Sequence, residues 1–83
     1  MTERLIAFDS IHQALRAEKE FLKAGMKFEL APTPREISAS CGQSIVLSDT
    51  ELPLAIKIIS REIIKCRGVY AADFSQRIFE KMD

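Results

Sequence analysis

The sequence is short of the residues on which most catalytic and metal-binding motifs depend. It has one histidine, two cysteines and three glycines in 83 residues, and no tryptophan. One histidine and two distant cysteines give no zinc-binding spacing, and the chain has neither a C-x-x-C pair nor a glycine-rich phosphate loop. We therefore expect no metal and no cofactor, and the motifs of metal, dithiol and nucleotide enzymes are missing.

Excess charge of either sign is also missing. Twelve Lys and Arg residues balance twelve Asp and Glu residues, which gives a formal net charge of zero. Such a chain has no overall field to attract a phosphate backbone or an anionic membrane. The predicted strands lack the paired aromatic residues that stack on RNA bases, so Phe8 and Tyr70 are interpreted as core or edge residues. We expect no nucleic-acid partner.

The sequence has no long hydrophobic run. Met1 is followed by polar residues and then by a strand-length apolar segment, and no stretch approaches the ~20 apolar residues of a spanning helix. We expect a cytoplasmic protein that does not enter a membrane, in which the two cysteines are thiols. A chain of this length supports one core, so residues 1–83 are expected to form a single domain.

Hydrophobic periodicity predicts alternating strands and helices. Ser10 and Gln13 have the spacing of a capping box at the start of the first helix, and Gly25 would end it. Thr50 would cap the second helix, with Pro53 in its first turn, and Gly68 would end it. The predicted strands lie at about 4–8, 26–31, 43–48 and 68–73, and the predicted helices at about 11–24 and 51–66.

This order predicts an α+β fold, a ferredoxin-like βαββαβ sandwich with both helices on one face of the sheet. The apolar residues after position 73 recur at three and four, which predicts a short C-terminal helical tail over residues 73–83. The second face of a four-stranded sheet would stay open. Either the C-terminal apolar residues or a second subunit would cover it.

The second helix has more apolar surface than one sheet face normally covers. Its predicted core stripe consists of Leu52, Ala55, Ile56, Ile59, Ile63 and Cys66. Leu54, Ile58 and Ile64 widen the apolar surface beyond that stripe. This excess predicts a homodimer, because small oligomers usually close around a two-fold axis.

The loop from Pro32 to Gly42 is the strongest candidate for a functional segment. Pro32 and Pro34 fix backbone angles there, and Cys41 lies between the small residues Ser40 and Gly42. Sulfur reacts as the thiolate, which a nearby cation stabilises. Arg35 in the same loop and His12 in the first helical turn are the candidate cations, with Ser38 as a further supporting loop residue. The alternative is a buried, inert cysteine, and the residue pattern alone leaves both readings open.

Glu18 lies on the apolar side of the first helix, between Leu15 and Leu22. An unpaired carboxylate would be costly to bury there, so we chose Arg35 as its partner, with Glu18 orienting the loop. The alternative is that Glu18 lies at the half-exposed edge of the stripe and needs no partner.

Three segments together resemble a known family. They are Phe8–Lys19, Pro32–Ser38 and the pair Cys41-Gly42, and they resemble small bacterial proteins of the selenium/sulfur (Se/S) carrier-like family over about residues 4–72. The resemblance implies a cysteine that holds sulfur or selenium as a persulfide-type adduct, and only Cys41 matches that position. Asp9 is a departure, since family members usually have a Phe-Pro-Ser or similar turn after the first strand.

The leading hypothesis is a carrier in which Cys41 accepts the chalcogen from a donor protein and passes it to an acceptor protein. Such a protein is a carrier or accessory protein more than an enzyme. The rival hypothesis is a non-catalytic module that binds a protein or a small anion through the proline-containing loop, with an incidental cysteine.

Overall fold

The computed structural model describes residues 3–38 and 42–82, which form an antiparallel five-stranded sheet and two helices. The strands have the spatial order β2-β3-β1-β4-β5. The α+β class is confirmed, whereas the strand order, with its fifth strand, differs from the ferredoxin-like sandwich that we predicted. The elements are β1 (Glu3–Phe8), α1 (Ile11–Lys23), β2 (Glu29–Pro32), β3 (Gln43–Ser48), α2 (Leu52–Arg61), β4 (Gly68–Asp73) and β5 (Ile78–Met82).

β1 is the central strand. It pairs with β3 on one side and with β4 on the other, from Glu3↔Ser48 and Glu3↔Ala72 onwards. Its apolar run, residues 5–8, is at most 1% exposed. A strand covered on both faces has a continuous apolar run instead of an alternating one, as the sequence predicted.

The two sheet faces carry separate apolar clusters, and both helices pack on one face. That helix face joins Ile6, Phe8, Ile45 and Leu47 of the sheet to Ala14, Ala17 and Phe21 of α1 and Leu52, Ala55 and Ile58 of α2. On the second face, Ile37, Val46, Tyr70, Phe74 and Phe79 pack around Leu5, Ala7 and Ala72. Residues from the C-terminal part of the chain therefore help to cover the face that a four-stranded sheet would leave open.

The predicted C-terminal helix is wrong, because the chain turns back after β4 and forms β5 instead. The Asp73 carboxylate accepts hydrogen bonds from the Ser75 N–H at 3.1 Å and the Gln76 N–H at 3.3 Å. This turn brings Ile78 opposite Asp73 in an antiparallel pair. Spacing of apolar residues could not distinguish a short helix from a strand here, and pairing with β4 decides the outcome.

α1 begins and ends close to the predicted positions. The Ser10 hydroxyl accepts a hydrogen bond from the Gln13 N–H at its start. At its end the Gly25 N–H bonds to the Leu22 carbonyl and the Met26 N–H to the Phe21 carbonyl, with Gly25 at φ 71°. This pair of bonds is the Schellman motif, in which a left-handed residue satisfies the last carbonyls of a helix.

α2 ends at Arg61, five residues before the predicted end, in the same motif with isoleucine at the left-handed position. The Ile63 N–H bonds to the Ser60 carbonyl and the Ile64 N–H to the Ile59 carbonyl, and Ile63 has φ 53°. A β-branched residue is rare in this conformation. The predicted stop at Gly68 is wrong because the chain had already left the helix.

The start of α2 and the start of β2 also differ from the prediction. Glu51 is the N-cap residue of α2 without a side-chain cap bond, while the Thr50 hydroxyl lies 2.7 Å from that of Ser48. β2 begins at Glu29 and not near Met26, because Met26 belongs to the end of α1.

The buried face of each helix is shifted from the predicted stripe. On α1 the small residues Ala14 and Ala17 face the sheet, and Ile11 is 64% exposed. On α2 Ile58 is buried, whereas Ile56 is 45% exposed, and beyond its end Ile63 is 80% exposed. Alanine allows a helix to approach the sheet closely, and Ile11 and Ile56 lie at the exposed flanks of their helices.

Substitutions at the left-handed residues that end the two helices, Gly25 and Ile63, should change the free energy of unfolding in opposite directions. Ile63→Gly should stabilise the fold by about 1 kcal/mol, because glycine adopts this conformation without the Cβ clash and little buried surface is lost. Gly25→Ala should destabilise the fold by about 1 kcal/mol, because alanine is strained in the left-handed conformation. An added Cβ at Gly25 meets nothing within 4 Å, so this backbone strain is the only expected contribution.

Urea unfolding followed by circular dichroism measures both changes. Ile63→Ala is the control, because it shortens the side chain and keeps the left-handed strain. Backbone strain at Ile63 would be contradicted if Ile63→Gly lowered the free energy of unfolding. It would also be contradicted if Ile63→Gly and Ile63→Ala raised that free energy equally.

Candidate functional site

The loop that carries the candidate thiol leaves β2 at Pro32 and enters β3 at Gln43, and these two residues are opposite each other in the sheet. Cys41 and Ser40, together with residue 39, lie outside the described residues. The site is therefore described from the segments that flank these residues, 33–38 on one side and Gly42 on the other.

Gly42 is held in a narrow space at the end of β1. Its carbonyl accepts a hydrogen bond of 3.0 Å from the Thr33 N–H. A Cβ on Gly42 would lie 3.1 Å from the Thr33 hydroxyl oxygen and 3.2 Å from the Phe8 carbonyl oxygen. We predicted that Gly42 serves backbone freedom, and the structure gives a further reason for glycine, which is its close approach to the Thr33 hydroxyl and the Phe8 carbonyl.

The same anchor includes a buried pair of hydroxyl groups. The Thr33 and Ser44 side-chain oxygens are 2.7 Å apart. Ser44 is fully buried in β3 and Thr33 is half-buried. A buried hydroxyl without a partner is costly, so this hydrogen bond fixes where the chain leaves β2 relative to β3.

The segment before the undescribed residues is also anchored. The Pro34 carbonyl accepts hydrogen bonds from the N–H groups of Ile37 at 3.0 Å and Ser38 at 3.1 Å, which forms one compact turn. Pro34 is buried, and Ile37 packs on the second face of the sheet. The predicted rigidity at Pro34 therefore has a packing basis as well as a covalent one.

Glu36 in this turn forms a two-pronged ion pair with Arg77. The Arg77 Nε and Nη2 atoms donate to the two Glu36 carboxylate oxygens at 2.9 and 2.8 Å. The hydrogen bonds from Arg77 hold the pKa of Glu36 below its usual range, and Glu36 raises the pKa of Arg77. Sequence reasoning missed this pair because 41 residues separate its members.

The predicted supporting residues are dispersed. Arg35 is exposed and forms no ion pair with any residue that the structure describes. Glu18 is half-buried and His12 is exposed on the first turn of α1. Of the two interpretations of Glu18, the structure agrees with the half-exposed edge of the helix stripe, since Glu18 and Arg35 form no ion pair with each other.

Charged residues meet at the same end of β1 as Gly42. Asp9 and Arg67 form an ion pair of 3.0 Å, and the Arg67 N–H bonds to the Ala7 carbonyl. Gly42 contacts Phe8 from the β3 side, and Arg67 contacts Ala7 from the β4 side. Gly42 thus lies at the end of the sheet where α1 begins.

Cys66 lies in the segment between α2 and β4, so its predicted place on the helix is wrong. It is half-buried and helps to line an apolar cavity of about 330 Å³ between α2 and the β4–β5 strands, with Ile56, Val69 and Met82. Burial raises the pKa of the Cys66 thiol, and the negative charge of Asp9 raises it further. This thiol is therefore poorly activated for nucleophilic chemistry at neutral pH.

The described residues contain neither a cluster of metal ligands nor a membrane-spanning helix. In segments 3–38 and 42–82, no three His, Cys, Asp or Glu side chains come together as metal ligands would. Neither helix in those segments is long and apolar enough to cross a membrane.

Comparison with known proteins assigns the family. Comparisons with curated proteins and with solved structures gave no match. Residues 3–71 match the family model described as "Putative Se/S carrier protein-like", and this range includes the whole loop between β2 and β3 and ends within β4. The resemblance seen in the sequence is therefore confirmed over most of the 83 residues, and the chain belongs to the Se/S carrier protein-like family.

Proposed function

We propose that this protein carries sulfur or selenium on Cys41 and relays it between a donor and an acceptor protein in the cytoplasm. The observation that supports this most is the family match over residues 3–71, because it includes the loop with Cys41. The anchoring of both flanks, at Pro34–Ser38 and at Gly42, suits a loop that presents one side chain. Pro32 and Pro34 restrict the backbone that leads into it.

The transfer needs no cofactor. The Cys41 thiolate attacks the outer sulfur of a persulfide on the donor protein, and a new S–S bond forms. The bond between the two donor sulfurs breaks, and the donor cysteine leaves as a thiolate with the electron pair. Thiol–disulfide exchange follows the same course, so its rate rises with the fraction of thiolate and with access to the sulfur.

The environment of the second cysteine supports the choice of Cys41. Burial and the Asp9 charge raise the pKa of the Cys66 thiol, which disfavours its thiolate, and its place in the lining of an apolar cavity leaves it half-buried. A relay has to meet two proteins in turn, so its sulfur has to be accessible.

We expect Cys41 to be the faster-reacting thiol. Limited alkylation at pH 7 should label Cys41 before Cys66, and peptide mass spectrometry distinguishes the two positions. After incubation with a cysteine desulfurase and cysteine, the peptide containing Cys41 should gain the mass of one sulfur. Cys41→Ser should abolish the gain, and Cys66→Ser is the matched control that should retain it. Equal labelling, or no adduct on Cys41, would favour the binding-module function instead.

We also propose that Arg35 and His12 favour the Cys41 thiolate, with Ser38, Ser40 and Gly42 as its small loop neighbours. Arg35→Ala should raise the thiol pKa by up to ~1 unit, and so slow alkylation at neutral pH by up to ~10-fold. The pH dependence of the alkylation rate measures this shift. Arg61→Ala, on the exposed surface of α2, is the control. An unchanged profile would remove Arg35 from the mechanism and leave Cys41 in place.

The rival function, a binding or assembly module, is favoured by the exposed apolar residues near α2. Ile56 and Ile63 project from the flank of α2 and the turn after it, and we propose that a second copy of the chain covers them. Light scattering should then show a dimer, and Ile56→Lys should shift the population to monomer by placing a charge in the contact. Lys57→Ala, an exposed change on the same helix, is the control. A wild-type monomer at millimolar concentration would exclude the dimer.

A further inference from the structure

The turn between β4 and β5 places an arginine where the backbone favours glycine. Arg77 has φ 56°, the left-handed conformation that glycine and asparagine adopt most readily. The turn itself is organised by Asp73, whose carboxylate also accepts a hydrogen bond from the Ser75 hydroxyl at 2.7 Å. These bonds form the turn without the Arg77 side chain. The presence of arginine at a position that favours glycine therefore needs another explanation.

The Arg77 side chain connects this turn to the loop between β2 and β3. Its guanidinium lies 5.5 Å from the centre of the Phe79 ring and donates both hydrogen bonds to Glu36. Beside it, Phe74 packs edge-to-face on Phe79, and Ile37 belongs to the same apolar cluster. An ionic contact and an apolar contact thus hold neighbouring residues of one turn, Glu36 and Ile37.

We infer that Arg77 is a positioning residue, whose guanidinium holds Glu36 and thereby fixes the Pro34–Ser38 segment on the second face of the sheet. The consequence for Cys41 rests on the proposed function, whereas the positioning itself does not. Arg77 also lies beyond residues 3–71, so the family match does not assign it a role.

Amide hydrogen exchange in the folded protein tests the positioning directly. Arg77→Gly removes the guanidinium and relieves the left-handed backbone at the same time. If the side chain holds the segment, the Ile37 and Ser38 amides should exchange about two- to fivefold faster, the range expected for an exposed ion pair. If arginine only completes the turn, exchange should be unchanged or slower, which would overturn the inference.

A double-mutant cycle adds a second criterion. Glu36→Gln should speed the same two amides by a similar factor, and the double variant should be no faster than either single variant, because both remove one contact. If the rate increase in the double variant equals the product of the increases in the two single variants, the two side chains act independently, which would overturn the inference. Arg61→Ala, which breaks an exposed pair with Glu62 on α2, should leave these amides unchanged.

Sulfur loading by a cysteine desulfurase then tests the consequence at Cys41. Loading should decrease in the order wild type, Arg77→Lys, Arg77→Gly, because lysine keeps the charge and one donor to Glu36. Equal loss in the lysine and glycine variants would argue against positioning through Glu36. If wild-type Cys41 takes up no sulfur, the proposed function fails, while the exchange rates of Ile37 and Ser38 still decide the role of Arg77.

Discussion

Burial of β1 on both faces is the constraint on which the rest of the structure depends. Its four apolar residues, 5–8, alternate between the helix face and the second face, so one short strand contributes to both clusters. Antiparallel pairing with β3 and β4 leaves its carboxyl end flanked by two chain segments. Gly42 approaches from one side and Arg67 from the other. The position of the candidate site therefore follows from the position of β1.

The two anchors of the candidate loop differ in their physical character. The Thr33–Ser44 hydrogen bond is partly buried, and breaking it would leave the fully buried Ser44 hydroxyl without its partner. The Glu36–Arg77 pair is exposed, where salt screens the attraction and each partner can be solvated when released. The Gly42 end of the loop is consequently fixed with the core, while at the Glu36 end an exposed ion pair acts together with the packing of Ile37 on the second face of the sheet. The two ends of the loop are thus held by contacts of different kinds, a partly buried hydrogen bond at one end and an exposed ion pair beside an apolar contact at the other.

Sequence patterns predicted the elements whose signals are local. The apolar run of β1 and the Ser10 cap of α1 depend on neighbouring residues, and both are found near the predicted positions. The end of α2 was missed because an isoleucine occupies the left-handed position, where sequence reasoning looks for glycine. β5 was missed because its pairing with β4 is tertiary. The contact of Glu36 with Arg77 could not be predicted for the same reason, since it exists only once the turn after β4 is formed.

The chemical contrast between the two cysteines follows from these positions. Cys66 follows a helix that ends early, so its thiol turns towards the apolar cavity beside α2 and loses solvation. The Cys66 thiol is half-buried in the lining of a cavity of about 330 Å³, whereas exchange requires the partner sulfur to approach in line with the bond to be broken. Cys66 is thus less suited to thiol exchange than an exposed thiol without these shifts would be. The other cysteine, Cys41, belongs to the loop between β2 and β3, which the family match includes, and our proposal assigns the transfer to it for these two reasons.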